Sequence, residues 1–89
     1  MKIQLELFVA SKDFSKNDFL EFNFNEKSSI KDLRKQIIDY IDKNFEGNKN
    51  FKKIVETSAF CSEDNNIISD NYKITKDQKI GIIPPIGGG

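Results

Sequence analysis

The run Lys79-Ile80-Gly81-Ile82-Ile83 carries apolar residues on both faces and leads directly into Pro84-Pro85. A strand with one wet face alternates, so a run without that alternation suits the middle of a sheet. The prolines then stop further pairing, because neither has an N–H to give to a neighbouring strand. The chain is therefore expected to insert its last strand between others and to leave the sheet from its centre. Beyond the prolines stand Ile86 and then Gly87-Gly88-Gly89. With no side chains there, the expected reactive group is the terminal carboxylate of Gly89. It sits on a stem thin enough for a slot closed to other residues.

The rest of the chain supplies the sheet and a helix to cover it. Ile3, Leu5, Leu7 and Val9 alternate with Lys2, Gln4, Glu6 and Phe8, the period of a half-buried strand. Residues 11–18 read as a polar turn, and Leu20, Phe22 and Phe24 share one face of a second strand. Ser29 followed by Asp32 approximates a capping box. Ile30, Leu33, Ile37 and Ile41 then recur at helical spacing, with Asn44 and Gly47 as stop residues. Residues 44–53 read as a basic loop running into a helical turn near Phe51 and Ile54. A third strand is expected over Val55 to Phe60, with Cys61 at its end. Ser62 to Asn66 form a turn, Ile67-Ile68 a brief edge strand, and Thr75 to Gln78 a turn in which Asp77 tolerates positive φ.

A hairpin, a helix across it and a last strand lying parallel beside the first make an α+β, β-grasp (ubiquitin-like) arrangement. The sheet is expected to be mixed and four- to five-stranded, with one main helix packed across it. Residues 1–83 form the domain and 84–89 a flexible C-terminal tail.

Composition narrows the function. At 89 residues this is one domain. Eight phenylalanines give a modest core enough area. Fourteen basic and fourteen acidic residues balance, which argues against a nucleic-acid or membrane-surface binder. No apolar run approaches a membrane span. One cysteine allows no internal disulfide and fits a reducing cytoplasm. The absence of histidine removes the commonest general base and metal ligand.

Three segments resemble the MoaD family, the small ubiquitin-like sulfur carriers of molybdopterin synthase within the wider MoaD/ThiS group. Leu7-Phe8-Val9-Ala10 is similar to the family's first strand, and Ser29-Ile30-Lys31-Asp32-Leu33 to its helix start. Ile80-Gly81-Ile82-Ile83-Pro84-Pro85-Ile86-Gly87-Gly88-Gly89 is similar to the family ending Val-Ala-(two apolar)-Pro-Pro-Val-x-Gly-Gly. Gly87 falls on the variable position, so the working dipeptide is Gly88-Gly89. Lys76-Asp77-Gln78 stands where the family usually has Asp-Gly-Asp, and Asp13-Phe14 where an Arg-Glu pair is common.

The resemblance implies that Gly89 is adenylated and then thiocarboxylated. It donates sulfur to cyclic pyranopterin monophosphate in molybdopterin (molybdenum cofactor) biosynthesis. The chemistry takes place in a MoaE-like large subunit, expected in a two-plus-two heterotetramer. Charging uses a MoeB-like, ubiquitin-activating-type adenylyltransferase with its ATP and Mg²⁺, and a sulfur donor protein. No cofactor or metal is held permanently by the chain itself. Pro84 and Pro85 are expected to fix an extended exit, Ile86 to anchor in the partner's slot, and Gly87 and Gly88 to allow close approach. Alternatives are a ubiquitin-like protein modifier, a carrier for thiazole or tRNA thiolation, and a plain β-grasp binding module.

Other residues carry competing readings. Phe8, Phe60 and Ile82 are candidates for an exposed patch facing the large subunit, or for core packing. Cys61 reads as an inert small apolar residue at a strand end. Lys49, Lys52 and Lys53 read as a solvated loop, and Asp39, Asp42 and Glu46 as a solvated helix face.

Overall fold

The computed structural model describes residues 1–85. Strand β1 (Lys2–Leu7) pairs antiparallel with β2 (Phe19–Asn23), Ile3 opposite Phe22. A two-residue strand, β3 (Ser28–Ser29), leads into helix α1 (Ile30–Asn44). The Ser29 N–H donates to the Asp32 carboxylate at 2.9 Å, and the Asp32 N–H donates to Ser29 Oγ. This reciprocal cap satisfies two donors at the helix start. It also holds the Asp32 carboxyl below its usual range, with the Ser29 backbone bond the largest cause. Helix α1 buries Ile30, Leu33, Ile37 and Ile41, one residue from each successive turn. It ends as Gly47 turns left-handed at φ +69°.

A second helix, α2 (Lys49–Thr57), follows. The remaining strands are β4 (Ala59–Cys61), β5 (Ile67–Ile68), β6 (Lys73–Ile74) and β7 (Gln78–Ile83). The main sheet runs β2-β1-β7-β4-β5, while β3 and β6 form a separate pair. Strand β7 lies parallel to β1 and antiparallel to β4, at the centre of five strands. The doubly apolar run of β7 thus sits where its pattern placed it. Ile3, Leu5, Leu7, Phe60, Ile80 and Ile82 are fully or almost fully buried in one core with the apolar stripe of α1.

Several sequence expectations fail locally. The first strand stops at Leu7, and Val9 is half exposed at φ +54°. Residues 9–14 form a 3-10 turn rather than an open polar loop. Phe14 is fully buried, its ring tilted against that of Phe51 with centroids 5.2 Å apart. The expected basic loop is largely helix α2, started by Asn48, whose Oδ1 accepts from the Phe51 N–H. Val55 lies in that helix, so the third strand is shorter than expected. Lys52 is not a free surface lysine; it pairs with Asp42 at 2.5 Å. Asp77 is absent from the positive-φ residues, and its carboxylate accepts the Lys2 N–H at 2.8 Å.

No helix among the described residues is long and apolar enough to cross a membrane.

Candidate functional site: the outer sheet face and the exit of β7

Strand β7 is held to its last residue. Leu7 pairs with Ile82 on one side, and Ala59 with Ile83 on the other. Pro84 follows at once and is buried, whereas Pro85 is exposed. The ladder ends there because Pro84 offers no N–H to β4. The chain thus leaves from the middle of the sheet with its base clamped on both sides.

Beside this exit lies the outer face of the sheet, away from α1. Successive strand residues face opposite ways. Leu7, Ile80, Ile82 and Phe60 point into the core, so Phe8, Gly81 and Cys61 lie on the outer side. The structure brings Phe8 and Gly81 together. A Cβ placed on Gly81 would come within 2.9 Å of the Phe8 ring and 2.8 Å of Cys61 Sγ. Phe8 therefore covers a spot that only glycine leaves open.

Ser11 fixes this arrangement. It is fully buried, and its Oγ accepts the Phe8 N–H at 2.9 Å while donating to the Phe8 carbonyl at 2.6 Å. Tyr40 secures the far end of the same turn by donating to the Phe14 carbonyl at 2.6 Å. Burial pushes the Tyr40 phenol up from its ordinary value. Val9, β-branched and left-handed, is strained within this clamped turn. Strain of that kind is retained where the surrounding structure determines it, here between Phe8 and Ser11.

Of the three residues considered for an exposed patch, only Phe8 reaches the outer face. Phe60 and Ile82 are fully buried, opposite each other in the β4–β7 ladder, and belong to the core. The apolar outer surface instead consists of half-buried Phe8, Ala59, Cys61 and Ile83, with Ile67 two-thirds exposed. Cys61 is a free thiol on this face. Ile86, Gly87, Gly88 and Gly89 lie outside the described residues.

Charged and polar groups border the patch and are partly committed to the backbone. Below Cys61 the partner of β7 has ended, and the Glu63 carboxylate accepts the Lys79 N–H at 2.6 Å in its place. Lys79 Nζ lies 5.5 Å from the Phe19 ring centroid. Glu63 and Lys79, with Lys2, Gln4, Glu6 and Gly81, line an open concavity of about 570 Å³.

Arg34, which no sequence signal singled out, ties the helices to this architecture. Its guanidinium donates to the carbonyls of Val55 and Ser58 at the end of α2 and to Asp70. It also lies 4.8 Å from the centroid of the Phe60 ring.

No family model matches the chain, and no curated protein matches it. Solved structures do. One is a protein from Pyrococcus furiosus assigned as molybdopterin converting factor, subunit 1. It aligns with TM-score 0.69 at 17% identity, over 96% of this chain and 98% of its own. Another is the crystal structure of SAMP1 from Haloferax volcanii, with TM-score 0.69 at 9% identity and full coverage of both chains. The fold is a β-grasp. At these identities the likeness is one of architecture. It extends along nearly the whole chain.

Proposed function

We propose that this β-grasp protein is a sulfur carrier working through a C-terminal Gly89. The observation that carries the reading is the exit of β7, a strand clamped on both sides that releases the chain at Pro84-Pro85 beside an apolar outer face. A rigid base and a thin tail suit delivery of a carboxyl group into another protein's active site. The family ending quoted above supports the same reading, as does the likeness to the Pyrococcus protein.

The chemistry follows from the weakness of a carboxylate as an electrophile. An activating enzyme of the MoeB-like type joins Gly89 to the AMP portion of ATP, with Mg²⁺, and releases pyrophosphate. A sulfur donor then displaces AMP and leaves a thiocarboxylate. That sulfur is a soft nucleophile and attacks carbon on cyclic pyranopterin monophosphate, held by a MoaE-like large subunit. Two charged carriers supply the two sulfurs of a dithiolene. In this scheme Ile86 seats in the partner's slot, and Gly87 and Gly88 let its walls close on the reacting carbonyl. Phe8 and its apolar neighbours form the docking surface around the exit.

The test is intact-mass analysis of the chain incubated with an activating enzyme, ATP and a sulfur source. The expected result is a mass gain equal to exchange of one oxygen for sulfur. Deleting Gly89, or adding one alanine after it, should abolish that gain without changing the unfolding transition. Charging of either variant at the normal rate would overturn the reading. The same activated carboxyl joined to a lysine amine would make the protein a modifier. Isopeptide-linked conjugates in the lysate, in place of a pterin-linked defect on deletion, would favour that function.

A further inference from the structure

Strand β2 forms one edge of the main sheet. Met1 and Phe24 exchange both backbone hydrogen bonds, and the Leu7 N–H donates to the Asp18 carbonyl. Antiparallel ladders alternate, so Leu20 and Phe22 between these pairs also turn their backbone groups towards β1. Phe19, Glu21 and Asn23 consequently aim their N–H and C=O groups outward. Among the described residues no backbone hydrogen bond outside the β1–β2 ladder reaches these three. All three are exposed.

A groove lies alongside. It has a volume of about 340 Å³ and is lined by Phe22 of β2 with Gln36, Asp39, Tyr40, Lys43 and Asn44 around α1. Its aromatic walls are fixed in place. The Tyr40 hydroxyl is bound to the Phe14 carbonyl, and the Phe22 and Tyr40 rings meet edge to face at 6.2 Å.

We propose that the free edge of β2 takes up an extended segment of a partner protein, with apolar residues alternating with basic ones. An added strand would pair with Phe19, Glu21 and Asn23 through the main chain. Its alternate side chains would turn towards the aromatic groove against α1. The residue opposite Glu21 would share the outer face with that carboxylate, which favours a lysine or arginine there. The Lys2 ammonium contacts Glu21 only at 3.9 Å, with both side chains about half exposed, so it leaves Glu21 open to a partner charge. The same charge disfavours a second copy of this chain. In the register that pairs all three outward residues with their own copy, Glu21 meets Glu21. This surface is separate from the exit of β7, and the proposal does not rest on the chemistry of Gly89.

The test is titration of the ¹⁵N-labelled full chain with the blocked peptide Ile-Lys-Ile-Lys-Ile and with its glutamate analogue Ile-Glu-Ile-Glu-Ile. The lysine peptide should slow amide hydrogen exchange at Phe19, Glu21 and Asn23 and shift the resonances of Gln36, Tyr40 and Lys43. The glutamate peptide should bind several-fold more weakly. Glu21→Gln should remove that preference while keeping the exchange protection. Glu21→Pro deletes an outward N–H and spares the ladder to β1; it should lose the peptide while Leu20 and Phe22 stay protected. Equal binding of both peptides to the unaltered chain would overturn the proposal. So would shifts confined to the surface around Phe8, absence of protection at the three edge amides, or a dimer in sedimentation that dissociates on Glu21→Pro.

Discussion

Inner and outer faces of the sheet alternate residue by residue along β1 and β7, yet they are built to different rules. On the inner face Ile3, Leu5, Leu7, Ile80 and Ile82 are sealed under α1, and each contributes burial. On the outer face Lys2, Gln4, Glu6 and Lys79 surround Phe8, which lies on Gly81. The inner face is redundant, with fifteen buried apolar residues among the described residues sharing one core. The outer face depends on a few specific contacts. Loss of an inner residue should therefore appear as lost stability, and loss of an outer one chiefly as lost docking.

The most severe challenge to this contrast is Phe60→Ala against Phe8→Ala. Phe60 is fully buried between Ile68 and Ile82 in the ladder and carries the Arg34 guanidinium over its ring. Its truncation should cost about 3–5 kcal/mol in urea unfolding. Phe8→Ala should cost clearly less, because its ring is only partly buried, while weakening capture by the proposed large subunit. If the two losses in stability are equal, the outer face is part of the core and the contrast fails.

Gly81→Ala comes next and sharpens the comparison. The new Cβ would meet the Phe8 ring at 2.9 Å and Cys61 Sγ at 2.8 Å, so both side chains must shift. A loss of about 1–3 kcal/mol is expected. Combining it with Phe8→Ala should recover part of that loss, since the ring that clashes is gone. Strict additivity in the double-mutant cycle would mean that Phe8 does not seat on Gly81.

Ser11→Ala tests how the aromatic is held. The hydroxyl bonds both backbone groups of Phe8 from a fully buried position; its removal strips the Phe8 N–H of that acceptor, while the Phe8 carbonyl keeps the Ser11 N–H at 3.1 Å. The expected cost is about 1–3 kcal/mol. Amide exchange should quicken at Phe8 and through the turn to Phe14, while β7 keeps its protection. Uniform loss of protection across the sheet would instead place Ser11 in the global fold.

These residues also mark what was legible in the sequence. The helix start was legible because Ser29 and Asp32 are three residues apart and their reciprocal bonds are local. The central place of β7 was legible in a run with little polar alternation, although in the structure its outer face is covered only at Gly81, by Phe8 and Cys61. The fold followed from those two elements and the first hairpin. Helix α2 was missed because Phe51, Ile54 and Val55 give only one helical turn of pattern among lysines, and its Arg34 cap comes from a distant part of the chain. Phe14 was hidden in a polar stretch, since one aromatic has no period. Between patch and core, the sequence leaves Phe8, Phe60 and Ile82 open together by character; side-chain parity separates them, with Phe60 and Ile82 on the buried face. Gly81 left a signal, a glycine inside an apolar strand, which marks a close approach without naming what approaches.

The smallest effect is expected from acid, and it concerns the inner element that looks most secure. Asp32 is exposed, but its carboxylate is held below the ordinary value of 3.8 by the Ser29 backbone and side chain. A carboxyl depressed in the folded state contributes stability that is fully present above the unfolded value. That contribution fades as pH falls through the folded value. The unaltered chain should therefore lose a small part of its stability below about pH 4, with the change localised by amide exchange to the first turn of α1. Asp32→Asn should remove that acid-dependent component and leave the rest of the profile in place. Ser29→Ala should cost about 0.5–2 kcal/mol at neutral pH and reduce the acid component only in part, because the Ser29 N–H, the larger cause, remains. If Asp32→Asn leaves the acid profile unchanged, the acid-dependent loss has another origin. The cap would then be only a geometric coincidence at the helix start.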